Sequence, residues 1–394
     1  MVERGPPEYP LMEEGESLDD YFVRVGEDVP HVNITLYSAA HTTNADADGV
    51  REMLPSSDIY IPERFGWRQN DIEYLNMLSR GEASDLAVHE AREKGDSNVF
   101  STASLDALEG TGAAVVAVDI SEDDKGGYDM EDAVREFTGN NPELPFDDAI
   151  DVYATKVERL ATAQVERERY MRAHIGPKIL EAIRSRPELR EKSEIRVFMP
   201  LGGSHSDIYH QLRAEGTDIE RVFQHAPYIY THQMEYMRRL MFGTAVDEEF
   251  KEQAFIERTV FLVNRKLLGH GSAEKELMSR VLVDLLDEDD RRSLYDSYHE
   301  EFGSFDDECK AKNKELKLQS IDNWEKPYRD WRNKRREECI DRVRQTYLAI
   351  LKNKDIYLPV TPEEKIEFLR VHAPIEMAYI EQSRDRNSQV DVEV

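Results

Sequence analysis

The segment 195–216, IRVFMPLGGSHSDIYHQLRAEG, decides the predicted fold. Its mostly apolar first part predicts a buried strand, and Gly202-Gly203 ends that strand. A polar turn then presents His205, and the following amphipathic residues predict a short helix. Strand, glycine turn and helix in this order are typical of open α/β sheets, whose ligands bind at the carboxyl ends of the strands.

Four other segments predict strands of the same sheet. They are 32–38 (VNITLYS), 58–61 (DIYI), 113–120 (AAVVAVDI) and 219–224 (IERVFQ). A short helical pattern at 45–54 joins the first two in a βαβ unit, and such a crossover makes its strands parallel. A longer helical pattern covers about 147–186, and Gly176-Pro177 is expected to break it. We therefore predict an α/β fold with a mainly parallel sheet flanked by helices.

Strand signals almost vanish after residue 225. Long helical patterns rich in Glu, Arg and Lys follow at 229–268, 273–302, 305–353 and 361–383. The predicted organisation is an N-terminal tail (1–30), an α/β domain (31–228) with a helical insertion at about 140–190, a helical region (229–383) and a tail (384–394). The long charged helices are also candidates for assembly into a homo-oligomer.

Composition narrows the expected partners and compartment. The 394 residues include 51 basic and 81 acidic side chains, and this net charge of −30 repels nucleic acids and anionic lipid. No stretch approaches the ~20 apolar residues of a membrane span, and the N-terminus lacks the apolar region of a signal peptide. Cys309 and Cys339 are too few for a four-cysteine zinc site. These features predict a cytoplasmic protein with no membrane or nucleic-acid partner.

Three polar residues follow predicted strands at matching places: His41, Glu63 and His205. Because the carboxyl ends of parallel strands meet at one edge of a sheet, we expect these side chains to converge. Two imidazoles and a carboxylate suffice to bind a divalent ion such as manganese, cobalt or zinc with open positions for water. Without a metal, the same groups could act as general acid and base.

Other residues are weaker candidates for the same site. Asp119 closes the third predicted strand, and His225 follows the last one. The turn Gly202-Gly203-Ser204 is expected to contact a ligand or cofactor, because glycine lets the backbone approach closely. A single histidine after a strand is more often structural, whereas three polar residues at matching strand ends favour a functional site.

The order of these motifs resembles the TraB/PrgY family and its wider superfamily, which includes Tiki proteases, erythromycin esterases and ChaN-like proteins. The second G-x-x-H of the family matches residues 202–205, and the glutamate after the second strand matches Glu63. The first G-x-x-H matches residues 38–41 (SAAH) with a serine in place of glycine. The helical E-R-D motif matches 166–168 (ERE), with Glu168 in place of aspartate. The C-terminal membrane segments of many TraB-like proteins have no counterpart here.

The resemblance implies a hydrolase of a peptide or ester bond, with His41, Glu63, Arg167 and His205 lining one pocket. Arg167 would bind an anionic group of the substrate or stabilise an oxyanion. Two alternatives remain open at this point. VERERYMR is also typical of a solvated helix face with i,i+4 ion pairs, in which case Arg167 has no catalytic role. The same pocket would equally suit a regulatory protein that binds a peptide or small molecule without cleaving it.

Overall fold

The structure, a computed structural model, describes most of the chain and divides it into two compact units. The described residues are 9–39, 44–83, 99–138, 143–223, 231–268, 273–318, 325–359, 361–378 and 381. The first unit, called here the α/β unit, comprises Met1–Asp132 and Ala161–Ala226, and the second, the helical unit, comprises Ala133–Leu160 and Pro227–Val394. Residues 133–160, which the sequence analysis assigns to the α/β domain, therefore group with the helices.

The α/β unit is built on a parallel sheet. Its strands are β1 (His31–Ala39), β2 (Ile59–Tyr60), β3 (Ala114–Val115), β4 (Glu194–Gly202) and β5 (Ile219–Phe223). Their order is β3-β2-β4-β1-β5, and each pairing between neighbours is parallel. The predicted α/β class is thus confirmed, with β4 lying between the two strands of the predicted βαβ unit.

Helices flank this sheet. They are α1 (Leu18–Arg24), α2 (Asn44–Met53), α3 (Gln69–Ser79), α4 (Val99–Leu108), α7 (Pro187–Arg190) and α8 (Asp207–Ala214). Helices α5 (Met130–Thr138) and α6 (Phe146–Ser185) each supply residues to both units.

Strands β1 and β4 are buried on both faces because their apolar residues are nearly continuous. Alternate residues of a strand point to opposite faces, so Ile34 and Val197 pack in one apolar cluster and Tyr37 and Phe198 pack in the other. The register pairs Ile34 with Val197 and, at the carboxyl ends of the two strands, Ala39 with Gly202. This register places the Gly202 turn at the carboxyl edge of the sheet.

The N-terminal residues from 9 onward are packed rather than loose, although the sequence analysis assigns residues 1–30 to a tail. Met12, Leu18, Tyr21 and Phe22 are each at most 4% exposed and belong to one apolar cluster. Their apolar side chains interrupt an otherwise acidic stretch. Burying them offsets the conformational entropy that ordering this segment costs.

The expected break at Gly176-Pro177 is wrong, because α6 continues through both residues. A proline inside a helix leaves the carbonyl four residues earlier without its helical donor. Here that carbonyl belongs to Ala173, and it accepts a hydrogen bond from the Met12 amide at 3.0 Å instead. Gly176 makes room for the same segment, since a Cβ on it would lie 2.7 Å from the Tyr21 ring. The N-terminal segment thus supplies the hydrogen-bond donor that the proline lacks.

The helical unit contains the remaining elements. They are α9 (His232–Met241), α10 (Glu248–Leu268), α11 (Ala273–Asp284), α12 (Glu288–Phe302), α13 (Phe305–Leu318), α14 (Glu325–Asn353) and α15 (Pro362–His372). Within the described residues, none of the helices is long and apolar enough to cross a membrane.

Candidate active site

Parallel strands bring a cluster of polar residues to the carboxyl edge of the sheet. Glu63 follows β2, Asp119 follows β3, and His205 lies in the turn that joins β4 to α8. The loops after β2 and β3 are fastened to each other by a hydrogen bond of 2.6 Å from the Trp67 indole to the Asp119 carbonyl. Residues far apart in sequence therefore meet at one place, as the strand-end pattern predicts.

Glu63 receives hydrogen bonds on both of its carboxylate oxygens. The His205 Nε2 lies 3.0 Å from Oε1, the Arg167 Nη2 donates to the same oxygen at 3.3 Å, and the Gly202 amide donates to Oε2 at 2.5 Å. Pro200 has no N–H, so it cannot extend the backbone pairing of β4 with the chain after β2. The amide of Gly202, two residues further, bonds the Glu63 side chain instead.

His205 is fully buried between Glu63, Gln164 and Glu168. The Gln164 amide nitrogen lies 3.1 Å from Nδ1 and 3.4 Å from Nε2, so it lies against the face of the ring, and it donates to Glu168 Oε1 at 3.0 Å. Because a carboxylate only accepts hydrogen bonds, the ring donates from Nε2 to Glu63. This bond orients the ring.

Arg167 forms a buried ion pair. Its Nε and Nη2 donate to the two oxygens of Asp119 at 2.9 and 2.5 Å, a bidentate geometry that suits a guanidinium and a carboxylate. Burial lowers the pKa of Arg167, but the hydrogen bonds and charge of Asp119 outweigh burial and raise it above the usual value. The guanidinium thus stays charged, and its partners are Asp119 and Glu63.

Glu168 anchors the inner end of the cluster at the start of α8. It is fully buried, and its Oε2 accepts a hydrogen bond of 2.6 Å from the Ile208 amide. Burial raises the pKa of the Glu168 carboxyl, while the nearby His205, the Gln164 amide and the Ile208 amide partly offset that shift. Glu168, Gln164, His205 and Glu63 therefore form one contiguous polar cluster, with hydrogen bonds between Gln164 and Glu168 and between His205 and Glu63.

Solvent reaches this cluster mainly at Glu63. The Glu63 side chain is 19% exposed, whereas Arg167 is 7% exposed and Asp119, Glu168 and His205 are fully buried. Glu63 is therefore the member of this group that can touch a ligand, and the others hold it in place.

The structure brings three of the four predicted catalytic residues together: Glu63, Arg167 and His205. The fourth, His41, lies outside the described residues, two positions after the end of β1, and so does His225. Gly203 and Ser204 are half-buried and form the turn before His205. In the E-R-E motif, Arg167 is buried and the neighbouring Arg169 is exposed.

Two residues of the cluster were not singled out from the sequence. Gln164 reads as one polar residue among many in a helix, and Glu168 entered only as a motif position. Their spacing of four residues along α6 places them on one helix face, and Arg167 lies beside them. That spacing was a usable signal, but the sequence does not say which face of α6 is buried.

The described contacts include two of the three predicted metal ligands, Glu63 and His205. Within the described residues, no group of three histidine, cysteine or acidic side chains is arranged to hold an ion. Glu63 and His205 contact each other directly, and the positive charge of Arg167 beside Glu63 opposes a second cation there. The third predicted ligand, His41, lies outside the described residues, so the metal stays a prediction.

Comparisons of this chain with models of protein families, with curated proteins and with solved structures find no match. The resemblance to the TraB/PrgY family therefore rests on the motifs alone.

Proposed function

We propose that the α/β unit is a hydrolase of peptide or ester bonds in which Glu63 is the catalytic residue. The observation that supports this most is the hydrogen-bonded pair of Glu63 and His205 at the carboxyl edge of the sheet. It joins a partly exposed carboxylate to a fully buried imidazole. Such a carboxylate is oriented in advance, as a general base has to be.

In this proposal Glu63 takes a proton from a water molecule while the water oxygen attacks the carbonyl carbon of the substrate. The bond to the leaving group then breaks, and Glu63 passes the proton to the departing oxygen or nitrogen. The products are a carboxylic acid and an alcohol or amine. His205, Arg167 and Gly202 are positioning residues, because each donates a hydrogen bond to Glu63.

A divalent ion of manganese, cobalt or zinc remains part of the proposal as a second state of the site, in which Glu63 and His205 would give up their mutual hydrogen bond and bind the ion together with His41. Such an ion would make water more acidic and polarise the carbonyl group. The bond class is also left open, since neither an ester nor a peptide is favoured by the described contacts.

The test is the hydrolysis of p-nitrophenyl esters and fluorogenic peptides, with and without added manganese, cobalt or zinc. We expect Glu63→Gln to lower kcat/KM by about 10²–10⁴-fold, the usual contribution of a general base. Glu194→Gln is the matched control, because Glu194 is exposed at the opposite end of β4. Equal rates for the wild type and Glu63→Gln would refute the assignment.

A non-catalytic binding protein is the second candidate, for a peptide or small-molecule ligand. It is favoured by the ion pair of Arg167 with Asp119, which leaves the guanidinium less suited to a substrate anion or an oxyanion. No hydrolysis of these substrates by the wild type, together with binding of the same peptides measured by calorimetry, would support this candidate over the hydrolase.

We also propose that the protein is cytoplasmic and forms a homo-oligomer. Cys309 and Cys339 are buried and unbridged, which suits the reducing cytoplasm. The helices of the helical unit are proposed to mediate a homo-oligomer, and sedimentation velocity of the full chain over a range of concentrations would detect one.

A further inference from the structure

The lateral edge of the sheet at β3 has a sequence that favours strand pairing. β3 is the last strand in the order β3-β2-β4-β1-β5, so one side of it has no neighbour among the described strands. The segment that contains β3, residues 113–118 (AAVVAV), is uncharged, rich in valine and free of proline and glycine. Segments of about six residues with this composition aggregate readily when they lie on an open edge. The edge at β3 therefore needs protection.

Backbone groups of this segment face outward at every second residue. The amides of Ala114 and Val116 donate to carbonyls of the chain at β2, at 2.9 and 3.1 Å. Because neighbouring residues of a strand direct their N–H and C=O groups to opposite sides, those of Ala113 and Val115 point away from β2. These outward groups are the ones that a further strand would pair with.

The side chain of Asn76, on α3, takes the place of such a strand at Val115. Its Oδ1 accepts a hydrogen bond from the Val115 amide at 3.0 Å, and its Nδ2 donates to the Val115 carbonyl at 2.8 Å. A residue of an antiparallel neighbouring strand would make the same two hydrogen bonds. Asn76 thus closes the middle of the edge.

Two further hydrogen bonds fix the orientation of the Asn76 amide. Its Nδ2 also donates to the Ile72 carbonyl at 3.1 Å, and its Oδ1 also accepts from Arg186 Nη2 at 3.1 Å. An asparagine amide has two donor hydrogens and two acceptor lone pairs, so all of its hydrogen-bonding capacity is used. Both donors face the oxygen of Asn76 and both carbonyls face its nitrogen, so the amide cannot be turned over without losing these bonds.

Other side chains bond the outward groups of Ala113. Ser79 Oγ, about one helical turn after Asn76, donates to the Ala113 carbonyl at 2.5 Å, and the Ala113 amide donates to Thr111 Oγ1 at 3.2 Å. A cavity of about 480 Å³ nevertheless lies along the same edge, with residues of α3 and α6 and residues 114–117 in its wall. Hydrogen bonds rather than bulk therefore close this edge.

We propose that Asn76 prevents the chain from pairing edge to edge with a second copy of itself. A second copy is the partner that an open edge would take, because identical apolar segments such as 113–118 stack in register on one another. The Asn76 amide holds both backbone groups of Val115, so an incoming strand finds no hydrogen bond there. The proposal goes beyond the hydrolase, since it concerns a lateral edge of the sheet rather than the carboxyl edge at which Glu63 lies.

Asn76→Ala in the full-length protein tests this role. The variant removes both contacts with Val115, so we expect sedimentation velocity to show species larger than those of the wild type, in proportions that grow with protein concentration. Thioflavin T fluorescence should rise several-fold over that of the wild type, because edge-to-edge pairing extends the sheet from one copy to the next. Circular dichroism at the same temperature shows whether the variant is folded.

Asn76→Asp is the matched control for a loss of stability. A carboxylate cannot donate to the carbonyls of Val115 and Ile72, so this variant is destabilised as well. It keeps the bulk of the side chain and puts a charge at the edge, which opposes strand pairing. We therefore expect Asn76→Asp to keep the size distribution of the wild type. The proposal is overturned if Asn76→Ala sediments as the wild type does, or if Asn76→Asp associates as strongly as Asn76→Ala, because association would then follow the loss of stability alone.

Discussion

Each unit of this protein buries a histidine between two carboxylates, and the two histidines differ in their remaining neighbours. In the α/β unit, His205 lies 3.0 Å from Glu63 and 3.7 Å from Glu168, and the amide nitrogen of Gln164 lies 3.1 and 3.4 Å from its two ring nitrogens. In the helical unit, His232 lies 2.8 Å from Asp284 and 3.4 Å from Glu257. The Gln164 amide covers one face of the His205 ring, whereas His232 has a carboxylate at each nitrogen and no such amide.

The pKa of His232 follows from this arrangement. Burial lowers the pKa of the His232 ring, but the hydrogen bond with Asp284 and the neighbouring Glu257 outweigh burial and raise it above the usual value. The two carboxylates thus favour the protonated ring, which links α9 to α10 and α11. Both histidines contact carboxylates, so the carboxylates alone do not distinguish the structural ion pair of His232 from the candidate catalytic pair of His205 and Glu63. The other groups beside each ring make that distinction.

The largest loss of stability is expected from Arg167→Met, which breaks the buried ion pair of Arg167 with Asp119 in the α/β unit. Arg167→Met leaves the buried Asp119 carboxylate without its cation, which should cost about 3–5 kcal/mol in the free energy of unfolding. Arg169→Met is the control, since Arg169 is exposed and its loss should change stability by about 0.5 kcal/mol or less. Urea denaturation measures both, and equal losses would contradict the structural role of Arg167.

A smaller loss of stability is expected from His232→Gln, and the size of this loss should depend on pH. Because the pKa of His232 is raised on folding, its stabilisation is fully present below the unfolded value of 6.5 and is lost as the pH rises through the folded value. At low pH the wild type should exceed the variant by about 1.5–3 kcal/mol, the range of a hydrogen bond to a charged group. A stability difference that does not change with pH would show that His232 is not an imidazolium.

Glu168→Gln should change the pH dependence of stability in the α/β unit, and this change should begin at a lower pH than that of His232→Gln. Burial raises the pKa of this carboxyl, so wild-type stability is greatest relative to the variant below the unfolded value of 4.5 and declines as the pH rises through the folded value. The decline should be about 1 kcal/mol, since an unfavourable buried charge replaces a neutral group. A wild-type advantage that grows with rising pH would contradict this sign.

The smallest change in stability is expected from Gly202→Ala, which acts on the exposed end of the α/β cluster. Its Cβ would lie 3.3 Å from Glu63 Oε2, so the carboxylate must shift by a few tenths of an ångström. We expect stability to change by less than about 1 kcal/mol, because alanine is also the better strand residue. The kcat/KM for the best substrate should fall nonetheless, and an unchanged value would mean that the position of Glu63 does not matter.

Much of the sheet was predictable because long apolar runs leave few alternatives. The runs at 32–38 and 195–201 correspond to β1 and β4, and the strand-end rule placed Glu63 and His205 at the same edge. The shorter strands were less well predicted. The run 113–120 forms a strand only at Ala114–Val115, because its neighbour β2 spans only Ile59–Tyr60.

The remaining features depend on contacts between residues far apart in sequence. Pro177 is tolerated inside α6 because the Met12 amide bonds the Ala173 carbonyl, a contact that spans more than 150 positions and leaves no local signal. The bidentate contact of Arg167 with Asp119 is similar, since VERERYMR alone does not show which arginine is buried. Local patterns thus predicted the strands but could not predict which polar side chains become partners.

The central claim is that Glu63 and His205 act as one unit in hydrolysis. A double-mutant cycle on kcat/KM with Glu63→Gln, His205→Asn and the double variant tests it most directly, once each variant is shown to fold by circular dichroism. Residues that act as a unit have non-additive effects. We predict that the double variant loses no more activity than Glu63→Gln alone; losses that multiply, or a Glu63→Gln variant as active as the wild type, would contradict the account.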